Sequence, residues 1–218
     1  MMEINWQHID TVILDLDGTL IDLYFDHHFW KNIVPQAYAD KFHLHLEESR
    51  RALKQRYDEL EHSKAWYCLD FWAEELNLPL RDLYEAQGPS LVVRADVAPF
   101  LQAVNKMNKQ VMLLTDSNQF SLDMKLKFCR FEQHFDLLLS SHQFGAPKIE
   151  QPLWHNLQQQ HYFDPTRTLF IDDTESVLDS AKQFGIAYTI GVENPDSTLP
   201  DKVFARHFSV KNYRTLVE

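Results

Sequence analysis

Short apolar runs alternating with helical patterns constrain this chain more than any other feature. Residues 11–16, 110–115, 136–140 and 168–171 read as buried strands, and 187–190 as a weaker fifth. Between the later runs, residues 97–107, 120–128, 151–160 and 175–184 carry helical patterns. Strand alternating with helix is the signature of an α/β fold with a doubly wound, Rossmann-like parallel sheet. The interval from Leu20 to about Asp96 breaks the alternation, being far longer than an ordinary crossover. It offers helical stretches near 28–40, 46–62 and 68–76, broken at Pro35, at 77–79 and at 88–89. The expected organisation is therefore a core of residues 1–20 and 96–218. A helical cap of residues 21–95 would lie over the C-terminal edge of the sheet.

Bulk properties exclude several classes. The 218 residues are 44% hydrophobic and 13% aromatic, which suits a folded domain with one sizeable core or a core plus a satellite. A formal net charge of −11 argues against nucleic acid or an anionic membrane as partner, because phosphate backbones demand Lys and Arg. Cys68 and Cys129, the only cysteines, suggest no disulfide framework. Residues 1–10 lack a basic start followed by an apolar run, so a signal peptide is not expected. No stretch approaches the ~20 apolar residues of a membrane span. A cytoplasmic protein is expected.

In open α/β sheets ligands bind beyond the C-terminal ends of the strands, and the residues falling there form a coherent set. The first run ends in Asp15-Leu16-Asp17-Gly18-Thr19, the second in Thr115-Asp116-Ser117-Asn118. After the third comes Phe144-Gly145-Ala146-Pro147-Lys148, and the fourth ends in Asp172-Asp173. Side chains two apart along a strand point the same way, so Asp15 and Asp17 are expected to converge. Converging carboxylates repel unless a cation or a proton lies between them. Aspartates at strand ends also serve as turn and capping residues, and Asp22, Asp116 and Asp179 read that way.

These four segments resemble the motifs of the haloacid dehalogenase superfamily of phosphohydrolases. The resemblance implies that Asp15 is a nucleophile forming an aspartyl-phosphate, and that Asp17 is the acid/base that serves the leaving oxygen and the water. It further implies a magnesium ion, Mg2+, held by Asp15, the backbone carbonyl of Asp17 and Asp172. Thr115 and Lys148 would bind the transferring phosphoryl group, and Asp173 would orient a metal-bound water or Lys148. Gly18 would let the chain turn under the phosphate. Asp17 argues against the dehalogenase branch, where a departing halide needs no proton. Asp116 departs from the family pattern, which often has Asn there.

Segments outside the motifs resemble bacterial purine-nucleotide 5′-phosphatases of this superfamily. They include Phe25-Asp26, Phe29-Trp30, Trp66-Tyr67-Cys68-Leu69-Asp70 and residues 191–197. That resemblance implies a nucleoside monophosphate substrate such as GMP or IMP. A phosphatase or phosphomutase acting on sugar phosphates is the alternative. The cap aromatics Phe25, Phe29, Trp30, Trp66, Tyr67, Phe71 and Trp72 are expected to be mainly core, with one or two free to stack on a planar group. The basic run 49–56 reads as the solvated face of an amphipathic helix.

Overall fold

The computed structural model describes residues 4–61 and 63–217. The first three residues of the amino-terminal segment, and the end of the helix expected at His62, lie outside that description. The strands are β1 (Thr11–Leu14), β2 (Gln110–Thr115), β3 (Leu137–Ser140), β4 (Thr168–Asp172), β5 (Tyr188–Val192) and β6 (Phe208–Val210). Residues 21–95 hold the helices α1 (Tyr24–His28), α2 (Val34–Phe42), α3 (Leu46–Leu60), α4 (Leu69–Glu75) and α5 (Leu80–Gln87). The remaining α-helices are α6 (Val97–Lys106), α7 (Gln119–Cys129), α8 (Gln151–Gln160) and α9 (Glu175–Phe184).

All strand pairs are parallel, in the order β3-β2-β1-β4-β5-β6. The sheet is buried on both faces, which is why β1 and β4 read as unbroken apolar runs. Val12 and Leu14 face α6, packing with Phe100, Leu101 and Val104. Ile13 points the other way, into a core with Trp154 of α8 and Leu178 of α9. Because β2 and β4 flank β1, the chain leaves the middle of the sheet at Asp15. That is the point where strand order reverses and a crevice opens.

Three sequence expectations need correction. First, β1 stops at Leu14 instead of Leu16. The Leu16 carbonyl accepts from the amides of Leu20 (2.9 Å) and Ile21 (3.0 Å), so the backbone is already curling. Second, Pro35 does not break the helix. The turn Phe29–Ile33 widens to π-helical geometry, with the Val34 amide reaching back five residues to the Phe29 carbonyl, and α2 continues through Pro35 in its first turn. The helix is continuous from α1 through the π-turn into α2, so Pro35 does remove one N–H from the ladder, and the wider turn just before it accommodates that loss. Third, α5 and β6 were not expected. α5 is a single amphipathic stretch between two prolines, and β6 is three residues long at the sheet edge.

The insertion, residues 21–95, holds helices and no named strand among its described residues. It has its own apolar cluster, built on Phe25, Phe29, Leu53, Leu69, Trp72 and Tyr84, which also takes in Met124 of α7. The basic run lies on the outside of α3, with Arg50 on Glu47 and Lys54 on Asp58, while Leu53 faces inward. The entering and leaving chains pair briefly. Ile21 and Val93 form an antiparallel bridge, and the amides of Asp22 and Arg94 reach the carbonyls of Val92 and Leu20. No helix among the described residues is long and apolar enough to cross a membrane.

Candidate active site

The tight turn after β1 depends on Gly18. Its φ of +82° lies in the left-handed region, and an added Cβ would meet Asp173 Cγ at 2.9 Å and Pro195 Cβ at 3.0 Å. Since β1 ends before Asp15, the alternation of a strand no longer governs where Asp15 and Asp17 point. Both line one cavity, but each has its own partners.

Asp15 is buried and accepts from Lys148 Nζ at 2.5 Å. The same ammonium donates to Asp172 Oδ2 at 2.7 Å. Carboxylate oxygens of Asp15, Asp172 and Asp173 all lie within 4.8 Å of one another. Burial drives the Asp15 carboxyl well above the ordinary range, with Lys148 opposing and the neighbouring acids reinforcing the rise. Burial likewise raises Asp172 to about 6, again against the pull of Lys148. For Lys148 burial favours the neutral amine, yet Asp15 and Asp172 outweigh it and hold the proton well above the usual lysine value. Asp173 is met by Lys202 Nζ at 2.7 Å, from the connection after β5.

Lys148 is held by its backbone as well. Its amide donates to Asp116 Oδ1 at 2.9 Å, and its carbonyl accepts from Trp154 Nε1 at 3.0 Å. Asp116, the residue that departs from the family pattern, therefore anchors the Gly-Ala-Pro turn that presents Lys148. Asp22 acts as expected of a turn residue, accepting the Tyr24 amide at 2.9 Å.

Asp17 lies in a different setting. Its Oδ2 accepts from Ser117 Oγ at 2.8 Å and stands 3.5 Å from Thr115 Oγ1, while its Oδ1 accepts from Lys125 Nζ. Lys125, on α7, also donates to Asp26 Oδ2 at 2.8 Å. Tyr84 OH donates to the other Asp26 oxygen at 2.6 Å. Burial presses Lys125 toward the neutral amine, but Asp17 and Asp26 prevail and keep it protonated. The sequence reading missed Lys125, Asp26 and Tyr84. Lys125 carried only a weak signal: it falls three residues after Leu122 and four after Ser121, on the buried stripe of α7.

Asp15, Asp17, Thr115, Lys148, Asp172 and Asp173 all line a cavity of about 470 Å³. Its opposite wall comes from the helical insertion and includes Trp30, Lys31, Tyr57, Glu61, Trp66 and Tyr67. Phe25 and Phe29 are packed away as core, while Trp30, Trp66, Tyr67 and Trp72 reach the cavity. Tyr57 presents a buried hydroxyl that has no hydrogen-bond partner among the described residues. The arrangement can take a small anion against the strand ends and an apolar, planar group against the insertion.

Parallel sheet, reversal point and acid-rich strand ends define a class, and the chain belongs to it. It is a haloacid dehalogenase-like hydrolase, the family model matching residues 9–185. It is 44% identical over 216 residues to the GMP/IMP nucleotidase YrfG of Escherichia coli (strain K12), covering 99% of this chain and 97% of that protein. The Shigella flexneri protein of the same name matches to the same extent. Among solved structures, a HAD phosphatase from Thermococcus onnurineus superposes with a TM-score of 0.81 over 95% of this chain and 96% of its own. At 18% identity it shows the shared fold alone.

Proposed function

We propose that this hydrolase is a magnesium-dependent phosphatase that cleaves purine nucleoside 5′-monophosphates to nucleoside and phosphate. One observation carries the reading: two carboxylates on one turn face one cavity with separate partners. Asp15 lies against Lys148 and the acidic cluster, and Asp17 lies against hydroxyls.

In the proposed reaction an Asp15 oxygen attacks phosphorus, and the ester P–O bond breaks as the phosphoaspartate bond forms. Asp17 gives its proton to the departing nucleoside oxygen. It then takes a proton from water, whose oxygen attacks phosphorus and releases phosphate from Asp15. Lys148 and the Thr115 hydroxyl balance charge on the equatorial phosphoryl oxygens. Asp173, itself met by Lys202 and the Thr174 hydroxyl, would orient a metal-bound water; Lys148 donates to Asp15 and Asp172 instead.

The donor set fits a hard divalent cation. Three buried carboxylates this close carry more negative charge than Lys148 and Lys202 neutralise, and oxygen donors suit Mg2+. Asp15, Asp172 and the Asp17 backbone carbonyl would hold it, with Asp173 beside them, and it would supply charge neutralisation at the phosphoryl group.

The nucleotide assignment rests on likeness to the two nucleotidases, supported by the aromatic wall of the cavity. It favours a planar base over a bare sugar phosphate. We also propose that residues 1–20 and 96–218 form the core domain, that 21–95 form the cap that closes the cavity, and that the enzyme works in the cytoplasm. The deciding experiment is phosphate release from a panel of nucleoside monophosphates and sugar phosphates, with Mg2+ and with EDTA. GMP and IMP are expected to lead, and EDTA to abolish turnover. Faster release from sugar phosphates would overturn the substrate, and EDTA-insensitive turnover would overturn the site.

A further inference from the structure

We propose that Lys125 is a positioning residue for Asp17, held to that task by Asp26 and Tyr84 of the helical insertion. The inference rests on the acid/base role proposed for Asp17.

Lys125 is fully buried in α7 and does not line the cavity, so it cannot act on substrate directly. Burying an ammonium without partners is costly, and this one is directed at just two groups, Asp17 Oδ1 and Asp26 Oδ2. An ammonium only donates hydrogen bonds. The Asp17 oxygen it touches is thereby held as an acceptor, which biases the acid proton toward Oδ2 as the working oxygen. Oδ2 is the one beside Ser117 and Thr115, hydroxyls at the end of β2 that can donate or accept. Lys125 thus favours one oxygen and, with it, the direction in which the proton leaves.

The other half of the arrangement belongs to the insertion. Asp26 on α1 takes the second Lys125 bond, and Tyr84 on α5 fixes the remaining Asp26 oxygen. The rings of Phe25 and Tyr84 close the apolar side, 5.9 and 5.7 Å from Nζ. Only with the insertion seated is Lys125 held between two carboxylates. Seating the insertion and aligning the acid are one event.

The test compares kcat/KM for a purine nucleoside monophosphate with kcat/KM for p-nitrophenyl phosphate. This ratio reports only the steps through cleavage of the ester bond. The nitrophenolate leaves without a proton, and the nucleoside oxygen needs one. Lys125→Met is expected to lower the nucleotide value by ~10²-fold or more, the scale of general-acid catalysis, while the aryl phosphate loses less than about tenfold. Lys125→Arg is expected to restore part of the nucleotide activity. Tyr84→Phe, which removes one hydrogen bond inside the insertion, is expected to show the same selective loss at a few-fold level. Equal losses on both esters, or no loss, in Lys125→Met overturn the inference. Should that variant fail to fold by circular dichroism, equal losses in Tyr84→Phe overturn it instead. Asp17→Asn separates the two levels. Selectivity there but not in Lys125→Met removes Lys125 alone, and its absence in Asp17→Asn removes the acid role of Asp17 with it.

Discussion

Asp15 and Asp17 are separated by one residue and live in opposite surroundings. Lys148 and two further acids surround the first, and Lys125 and two hydroxyls surround the second. Asp15→Asn keeps the shape and removes a buried charge from beside Asp172 and Asp173. Phosphate release is expected to fall roughly 10⁴-fold or more, as when nucleophiles are removed from other hydrolases. The thermal midpoint is expected to stay level or rise, since burial works against the Asp15 charge. Turnover within tenfold of the parent would remove Asp15 as nucleophile. Gly18→Ala tests the turn itself. With φ at +82° and a Cβ 2.9 Å from Asp173 Cγ, a loss of ~1–3 kcal/mol in chemical denaturation is expected. An unchanged midpoint would mean that the turn tolerates a side chain. The acids, the hydroxyl and Lys148 were legible in the sequence because strand ends gather them into short motifs. Lys125 was not. No motif marks it, and a lysine in a helix is ordinarily solvated, so its phase relative to Ser121 and Leu122 was its single signal and is too weak to single it out.

The long elements were legible for the same reason that they are stable, since each buries a continuous apolar face. α8 and α9 fall where the periodicity puts them, and β2 starts and stops at the expected residues. What escaped were short elements that depend on neighbours. The three-residue β6 exists because β5 offers an unpaired edge, and the π-turn before α2 exists because Pro35 alters the hydrogen bonding around it. The connection from β5 to β6 is tied down by α9, where Asp179 accepts from Arg206 Nη2 at 2.7 Å and His207 Nε2 at 3.0 Å. Hydrogen bonds from Arg206, then His207, hold the Asp179 carboxyl down at about 2, below its ordinary 3.8. A depressed carboxylate stabilises the fold above the unfolded value, and that stability is lost as pH falls through the folded one. Asp179→Asn should therefore cost stability at pH 7, by about 0.5–1 kcal/mol because the pair is exposed and screened. The difference from the parent should narrow as pH drops from 3.8 toward about 2. A gap of the same size at both ends, in urea melts, would show that geometry and not charge is what Asp179 contributes.

At the scale of the whole molecule, strand ends and helical insertion face each other across the cavity, and the seam between them is stitched at several points. His27 Nδ1 lies 2.5 Å from Asp196 Oδ2, and the Leu23 amide donates to the Pro195 carbonyl at 2.8 Å. Two segments of the chain cross from core to insertion beside the Ile21–Val93 bridge. The resulting space, about 470 Å³, has room for a ligand the size of one nucleotide. Charge argues against a polymer. With a formal net charge of −11, the surface repels a polyphosphate chain, and the fixed cations Lys148 and Lys125 are buried where a duplex cannot reach. A free purine nucleoside monophosphate and an oligonucleotide ending in the same 5′-phosphate present one reacting group to the proposed site. They differ in the chain that must follow it into the cavity. The oligonucleotide is therefore expected to release phosphate at least about 10²-fold more slowly than the monomer, by colorimetric assay at equal concentration of 5′-phosphate. Lowering the salt should slow it further, because screening then protects it less from the acidic surface. Comparable rates for the two, or faster cleavage of the oligonucleotide at low salt, would mean that the insertion stands open in solution and that the cavity does not select by size.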